Sequence, residues 1–292
     1  MKVLANENLS LQINEQGAEL SRITAQATGR EYLWNADPAY WKRHSPVLFP
    51  IVGAVWENMY RHESASYPLS QHGFARDLPF QLVSETAGEV RFRLTSNGAT
   101  MKVYPFPFCL EIGYKLKGWD VEVLWTVKNT GSEALYFQIG AHPAFYYPDR
   151  RPEDPARGFF AFDRTEGLRY KLIGEQGCAL PESYPLTLTD GLLPLDVHTF
   201  DKDALIFEDS QLKEVTLLDT HRRRVLSLHF TAPVVGLWSP PGKDAPFVCI
   251  EPWYGRCDRV DYKGEFKEKD WMQSLEPGAI FDASYRIEIA YD

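Results

Sequence analysis

A single histidine lies among small and apolar residues in the segment 139–145, which reads IGAHPAF. It follows the strand-like run 135–138 (LYFQ), and Pro143 cannot donate a hydrogen bond to a sheet ladder. We therefore expect a strand to end at His142 and its imidazole to face a cleft. This residue is a candidate for acid–base chemistry.

A carboxylate occupies a similar position in the segment 247–258, which reads FVCIEPWYGRCD. The apolar run 248–250 predicts a buried strand, and Glu251 follows this run directly before Pro252. We expect this strand, too, to end at the titratable residue. One imidazole and one carboxylate, each at the end of an apolar strand and before a proline, form a candidate acid–base pair.

Three further segments place charged or titratable residues beside apolar ones: 41–50 (WKRHSPVLFP), 71–77 (QHGFARD) and 199–206 (TFDKDALI). The candidate site residues in these segments are Arg43, His72, Arg76 and Asp203. Each of them alone also has an ordinary structural interpretation. A histidine can be hydrogen-bonded within the core, and a carboxylate can cap the turn before a strand.

The spacing of the remaining residues argues against other kinds of site. His72 and His142 could both bind a metal, but the chain contains no HxH, HxxxH or CxxC pair, so no metal is expected. It contains no GxSxG nucleophile motif and neither a GxxxxGK[ST] nor a GxGxxG phosphate loop. Proton transfer between a histidine and a carboxylate remains. Because aromatic residues make up 14% of the chain and can stack on sugars, this chemistry favours a carbohydrate substrate.

The alternation of apolar and polar residues predicts many short strands and an all-β fold, a β-sandwich rather than a closed barrel. The predicted strands lie near residues 9–13, 20–23, 32–34, 90–94, 110–116, 121–127, 135–138, 204–207, 215–218, 225–230, 234–238, 247–250 and 285–291. A hairpin turn is predicted at 117–120. No window of 12 or more residues has helical periodicity. The proline-rich region 146–200 is expected to contain a few short strands and part of the rim of a site.

Length and charge restrict the possible partners. We expect one domain spanning residues 1–292. Because a sandwich of this size is stable alone, the choice between a monomer and a weak homodimer stays open. The net charge of −9 argues against a nucleic-acid partner. There is no run of 18 apolar residues, and the N-terminus becomes polar too early for a signal peptide, so we expect a cytoplasmic protein without a membrane partner.

The four cysteines have no disulfide-framework spacing and are expected to be reduced.

Taken together, these segments resemble the aldose 1-epimerase (galactose mutarotase-like) superfamily. The matching motifs are SPVLFPIVG at 45–53, HGFARD at 72–77, GAHPAF at 140–145, TFDKDALIF at 199–207 and IEPWYGRCD at 250–258. They follow the family's order and span nearly the whole chain. The chain is most similar to the LacX-like branch, which in turn is similar to the hexose-6-phosphate 1-epimerases. The resemblance implies a large antiparallel β-sandwich, often called a supersandwich, with a sugar substrate in an open cleft and no cofactor.

The resemblance also implies roles for the two candidate catalytic residues. His142 matches the family's general acid, and Glu251 matches its general base. In this role Glu251 would take the proton of the C1 hydroxyl while His142 protonates the ring oxygen, which opens the hemiacetal and lets it close on the other face. We expect the neighbouring charges to raise the pKa of the histidine and to lower that of the glutamate, so that both carry charge.

The same resemblance implies a sugar-binding set. His72 matches a histidine that binds near the ring oxygen, and Asp203 matches an aspartate that holds sugar hydroxyls. Arg43 and Arg76 fall where hexose-6-phosphate epimerases place phosphate-binding arginines. Residues 43–46, however, read RHSP, where that branch carries an RGGIP run.

Two other functions stay open at this point. A non-catalytic carbohydrate-binding or sensing protein would use the same cleft without the chemistry. A glycoside hydrolase would need two facing carboxylates, for which Asp203 and Glu251 are the available pair. The sugar itself, and whether it carries a phosphate, is also open.

Overall fold

The computed structural model describes residues 1–147, 151 and 153–291 of the chain. These residues contain 24 β-strands. The first twelve are β1 Lys2–Ala5, β2 Leu9–Ile13, β3 Leu20–Ala25, β4 Val47–Leu48, β5 Met59–His62, β6 Ala65–Pro68, β7 Gln81–Glu85, β8 Glu89–Thr95, β9 Phe108–Lys117, β10 Asp120–Asn129, β11 Leu135–Phe137 and β12 Ile139–Ala141. The others are β13 Ala144–Tyr146, β14 Gly158–Phe162, β15 Arg169–Ile173, β16 Ala179–Pro185, β17 Leu193–Leu195, β18 Leu205–Phe207, β19 Glu214–Leu218, β20 Arg224–Phe230, β21 Val234–Trp238, β22 Phe247–Tyr254, β23 Gln273–Leu275 and β24 Ile280–Ile289.

Helical structure within the described residues is limited to single turns. The α-helix α1 covers Thr100–Val103, and 3₁₀ turns cover Trp56–Asn58, Ala75–Asp77, Glu175–Gly177 and Phe266–Glu268. None of these helices is long and apolar enough to cross a membrane. The prediction of a chain built from short strands is confirmed.

Two large antiparallel sheets pack face to face. The nine-stranded sheet has the order β17-β14-β19-β20-β24-β10-β9-β8-β7. The eight-stranded sheet has the order β16-β15-β18-β21-β22-β12-β4, with β13 also pairing with β22. Their inner faces share one apolar core, which includes Val123 and Trp125 from β10 and Val248 and Ile250 from β22. This arrangement is the predicted β-sandwich.

The local sequence explains how the longest strands form. In β10, every second residue from Val121 to Val127 is buried while the residues between them are more exposed, as the period-2 pattern requires. Burying a large apolar side chain of this kind contributes roughly 1.5–3 kcal/mol. The loop between β9 and β10 has two residues and begins with Gly118 at φ 58°, so the predicted hairpin turn is confirmed.

The two proline positions behave differently. β12 ends before His142 and β13 begins after Pro143, so the predicted interruption is confirmed. β22, in contrast, continues through Glu251 and Pro252, and the prediction that this strand ends at the glutamate is wrong. The N–H of Ile250 points toward the β12–β13 side, where it donates to the Pro143 carbonyl. An N–H at position 252 would point to the same side, because residues two apart on a strand donate in the same direction. Pro252 therefore removes no hydrogen bond between β22 and β21, and these two strands stay paired.

Other strand predictions differ from the structure in detail. Residues 32–34 form no strand, and Leu33 makes an isolated bridge to Phe145 instead. The region 146–200 contains the predicted short strands, β14 to β17, although residues 148–150 and 152 lie outside the described part of the chain. The four cysteines are free thiols.

Candidate active site

A cavity of about 500 Å³ opens on the face of the eight-stranded sheet that turns away from the shared core. This volume is in the range of small-molecule sites. The cavity is lined by all six residues that the sequence singled out, namely Arg43, His72, Arg76, His142, Asp203 and Glu251. Ile173 and Gly177, from the region 146–200, also line it, which agrees with the expected contribution of this region to a rim.

The register of the sheet sets His142 opposite Glu251. Flanking residue pairs on both sides define this register: Gly140 with Trp253, and Ala144 with Cys249. His142 lies in the short break between β12 and β13, and the two strands continue in one common register along β22. Two residues that are distant in sequence are therefore direct cross-strand neighbours.

The hydrogen-bond pattern brings these two side chains close together. The N–H of Ile250 donates to the carbonyl of Pro143 at 3.3 Å, so these two residues form a hydrogen-bonded pair. In an antiparallel ladder, the next pair is non-hydrogen-bonded, with Cα atoms about 4.5 Å apart and closer side chains. His142 and Glu251 occupy that position. Their Nε2 and Oε2 atoms lie 3.3 Å apart.

Three tryptophans that were not among the candidate site residues line the cavity around the pair: Trp41, Trp238 and Trp253. The ring of Trp41 stacks on the His142 imidazole, with centroids 4.6 Å apart and planes 28° apart. Trp238 meets the same imidazole edge-on at 5.3 Å. The imidazole is therefore held between two indole rings. The sequence signal for these residues was only the general abundance of aromatics.

Trp253 lies flat across the sheet beside Glu251. A Cβ atom at Gly140 would lie 2.6 Å from its ring, and one at Gly236 would lie 2.3 Å from it. Both glycines belong to strands that flank β22, β12 on one side and β21 on the other. Only residues without a side chain leave room for the indole at these positions. The two glycines thus allow a flat aromatic surface within the cavity wall.

His72 presents a defined tautomer. The backbone N–H of Gly53 donates to its Nδ1 at 3.0 Å, so the ring proton of the neutral imidazole is on Nε2. Burial lowers the pKa of His72 well below its ordinary value, and His142 and the nearby arginines lower it further. His72 is therefore a neutral hydrogen-bond donor whose ring centroid lies 5.6 Å from that of His142.

The two arginines form a cationic wall. Arg43 makes a 2.7 Å ion pair with Asp77, and Arg76 donates to the carbonyl of Gln71 at 2.7 Å. The Nε of Arg76 is buried and has no hydrogen-bond partner among the described residues. Burial, together with the charge of Arg43, lowers the pKa of Arg76 to about 10. Even so, the Arg76 side chain remains a cation at neutral pH.

Asp203 lies two residues before the start of β18, in the left-handed region with φ 69°. Its Oδ1 accepts a 2.7 Å hydrogen bond from the N–H of Ala204. Burial raises the pKa of Asp203, while this hydrogen bond and one from the Trp238 indole oppose the rise. Asp203 thus makes the turn-capping hydrogen bond of the structural interpretation and also lines the cavity.

The protonation of the central pair differs from the expectation. Burial, with smaller contributions from the positive charges of Arg76 and Arg43, lowers the pKa of His142 to about 3. Burial raises the pKa of Glu251 well above its ordinary value, and the charge of Asp203 adds to the rise. The expected directions are therefore wrong, because removal from water favours the neutral form of each group over the charged form. The pair holds one proton, and burial favours its position on the glutamate.

One group of three potential metal ligands occurs among the described residues, and it consists of His142, Cys249 and Glu251. The sequence did not indicate this group, because its histidine is more than 100 residues away from the other two along the chain. Burial raises the pKa of the Cys249 thiol, so this side chain is a neutral thiol in the structure.

Comparison with known proteins shows consistent similarity over the full length. A family model described as aldose 1-epimerase matches residues 2–288. Protein LacX of Lactococcus lactis subsp. lactis is 29% identical, with 98% of each chain covered. A galactose mutarotase related enzyme from Lactobacillus acidophilus superimposes with a TM-score of 0.92 at 32% identity, covering 99% of this chain and 97% of that one. A galactose mutarotase-like protein from Lactobacillus casei has a TM-score of 0.93 at 28% identity, covering 99% and 100%.

The packing of Trp253 on two glycines predicts the effect of a single added methyl group. Gly236→Ala should lower the free energy of unfolding by roughly 1–3 kcal/mol and change the tryptophan fluorescence, because the new Cβ overlaps the indole. Gly98→Ala is the matched control, since a Cβ there has no atom within 4 Å. Denaturant unfolding of both variants checks this, and equal stabilities would contradict it.

Proposed function

The chain belongs to the aldose 1-epimerase family, and from this premise we propose that it interconverts the α and β anomers of a hexose or hexose phosphate. In this proposal His142 is the general acid and Glu251 is the general base. Both proton transfers are assigned to side chains, so the reaction as proposed needs no cofactor.

The observation that carries the proposal is the geometry of the central pair. An imidazole and a carboxyl group lie 3.3 Å apart at the wall of a cavity of sugar-binding size. Both side chains are almost fully buried in protein, with 8% and 2% of their surfaces exposed. A sugar in the cavity would meet an acid and a base within the reach of one anomeric centre, which is the arrangement that hemiacetal opening requires.

The pair can supply this chemistry without a net change in its proton count. In ring opening, Glu251 takes the proton of the C1 hydroxyl and His142 gives a proton to the ring oxygen. The pair then passes from imidazolium and carboxylate to imidazole and carboxylic acid. After rotation about the C1–C2 bond, the reverse transfers close the ring on the other face. Each positioned transfer contributes about 10²- to 10⁴-fold to the rate.

Burial favours the neutral state of the pair, which accompanies the open-chain sugar in this scheme. The charged state, which accompanies the closed ring, gains support from a neighbour. The face of Trp41 attracts an imidazolium by a cation–π interaction of about 0.5–2 kcal/mol. This contact narrows the free-energy gap between the two protonation states of the pair.

The remaining wall residues suit a polyhydroxylated ligand. The Nε2–H of His72 is a donor for a sugar oxygen, and the carboxyl group of Asp203 accepts from hydroxyl groups. Arg43 and Arg76 supply further donors and would also accommodate a phosphate. The flat face of Trp253 can stack on the apolar face of a pyranose.

A carbohydrate-binding protein without catalysis is the alternative. It would use His72, Asp203 and the arginines, but it would have no use for a buried acid–base pair. The Oε2 of Glu251 has no hydrogen-bond partner among the residues that the structure describes. An unsatisfied buried polar group costs about 1–3 kcal/mol, which binding alone does not explain. We therefore favour the enzyme, and equilibration of a pure anomer by catalytic amounts of protein distinguishes the two functions.

Removing either member of the pair should abolish turnover and leave the fold intact. Glu251→Gln and His142→Asn should each lose at least 10²-fold in kcat, measured by polarimetry or by NMR exchange with a panel of free and phosphorylated hexoses. The melting temperature of Glu251→Gln should stay at the wild-type value, because the amide has nearly the size of the carboxyl group and is also polar.

Exposed residues provide matched controls for these two variants. Glu276→Gln and His221→Asn make the same chemical changes at the surface and should keep full activity. Retention of more than about a tenth of the wild-type rate by Glu251→Gln would show that this residue is not the base.

The hydrogen bond to Gly53 predicts a contrast between two variants of His72. His72→Asn keeps an acceptor near the Gly53 N–H and tolerates the left-handed backbone at φ 66°, but it lacks the Nε2–H donor. KM should rise about tenfold with little change in stability.

His72→Ala removes the acceptor as well as the donor. This variant should raise KM and also lose about 1–3 kcal/mol of unfolding free energy, because the N–H of Gly53 is then unsatisfied. An unchanged KM in His72→Asn would mean that the histidine does not contact the substrate.

A further inference from the structure

Strand β22 presents a thiol beside the central pair. Cys249 and Glu251 are two residues apart on one strand, so their side chains lie on the same face of the sheet. The register places Ala144 opposite Cys249 and His142 opposite Glu251. The small side chain of Ala144 leaves the thiol next to the imidazole and the carboxyl group.

The distances within this group suit a single metal ion. One nitrogen of His142, the Sγ of Cys249 and one carboxyl oxygen of Glu251 all lie within 4.8 Å of one another. Bonds of about 2.0–2.3 Å to a tetrahedral ion put ligand atoms roughly 3.3–3.8 Å apart. Small rotations of the three side chains would therefore bring them around one ion.

Two of the three groups lack the partners that buried polar atoms normally have. The Oε2 of Glu251 and the Nδ1 of His142 are buried and have no hydrogen-bond partner within the described parts of the chain. Counting backbone and side chain together, Glu251 is 1% exposed and His142 is 6% exposed. The Oε2 atom is directed at the His142 ring, at 3.3 Å from its Nε2. A buried, unpaired carboxyl oxygen aimed at an imidazole is a feature that a metal ion would satisfy.

We propose that His142, Cys249 and Glu251 form a three-ligand site for a divalent transition metal ion such as Zn²⁺, with the fourth coordination position open to the cavity. Nitrogen, thiolate and carboxylate ligands together suit borderline-soft ions, and they disfavour Mg²⁺ and Ca²⁺, which prefer oxygen ligands. Three protein ligands with one open position leave room for a solvent or substrate oxygen.

Binding at this site conserves charge. Before binding, the thiol carries one proton and the His142–Glu251 pair holds another, so the three side chains are neutral together. On binding, both protons leave to solvent, and the thiolate and the carboxylate balance the two positive charges of the ion. The buried site thus stays neutral, which avoids the large cost of burying an uncompensated charge.

The metal would act as an inhibitor of the proposed reaction. Both members of the acid–base pair would be ligands, so neither could exchange a proton with a sugar. This consequence depends on the proposed function, whereas metal binding itself does not.

Co²⁺ is the probe for the binding experiment, since a thiolate ligand gives a charge-transfer band and tetrahedral coordination gives intense visible bands. Titration of the sugar-free protein should show both features at one equivalent, and Zn²⁺ should displace them. Calorimetry of Zn²⁺ binding in buffers of different ionisation enthalpy should report two protons released for each ion.

Variants of the cysteines identify the thiol ligand. Cys249→Ala should remove the charge-transfer band and weaken Zn²⁺ binding at least tenfold. Cys257→Ala, the matched control, replaces a buried cysteine that lines the cavity and should bind as the wild type does. Cys109→Ala controls for a more accessible thiol. Glu251→Gln should keep the charge-transfer band and release one proton fewer.

The possible outcomes separate the two proposals. Absence of the charge-transfer band in the wild type, or its persistence in Cys249→Ala, would overturn the metal site. If Cys249→Ala does not fold, the band and the two-proton release of the wild type decide the question. A protein that equilibrates anomers without binding Co²⁺ contradicts the metal site alone. One that binds Co²⁺ through Cys249 but never equilibrates an anomer contradicts the proposed function alone.

Discussion

The site depends on one cross-strand pairing in the eight-stranded sheet. His142 and Glu251 occupy a non-hydrogen-bonded position of an antiparallel ladder, where side chains approach most closely. The hydrogen-bonded positions on either side of the His142–Glu251 pair contain Pro143 and Pro252, which have no N–H to donate. The ladder between β22 and the β12–β13 segment therefore lacks hydrogen bonds next to this pair. The candidate acid–base pair therefore lies at a break in one strand and is positioned by the unbroken neighbouring strand β22. A shift of one residue in this register would move Glu251 to the core side of the sheet.

Burial on the cavity face sets the electrostatic character of this pairing. Two groups that would carry charge in water are held in a wall of indole rings, with cationic Arg43 and Arg76 on one side and Asp203 on another. Desolvation outweighs the attraction between imidazolium and carboxylate, so the neutral forms are favoured while the shared proton is kept. The same lack of water makes each polar contact with a ligand stronger than it would be at the surface.

Much of the fold followed from the period-2 alternation, because a strand with one buried face needs only local sequence to be recognised. The hairpin at Gly118 and the break at Pro143 were predicted for the same reason. The extension of β22 through Pro252 was missed, since the effect of a proline depends on which neighbour its missing N–H would face. The candidate site residues were found from their apolar surroundings and from family motifs. The proximity of Cys249 to His142 was missed, because it exists only across the sheet.

By itself, the sequence determined the kind of secondary structure, the family and the set of titratable side chains available to a cleft. These properties depend on residue type and on spacing along the chain, which are local. Only the tertiary structure decided which of these side chains are neighbours, where the indole of Trp253 lies, and in which direction the pKa values of His142 and Glu251 move. Strand register, side-chain packing and desolvation at the site depend on chain segments that are far apart in sequence. Their combined effect on a side chain therefore cannot be predicted from the sequence of one segment.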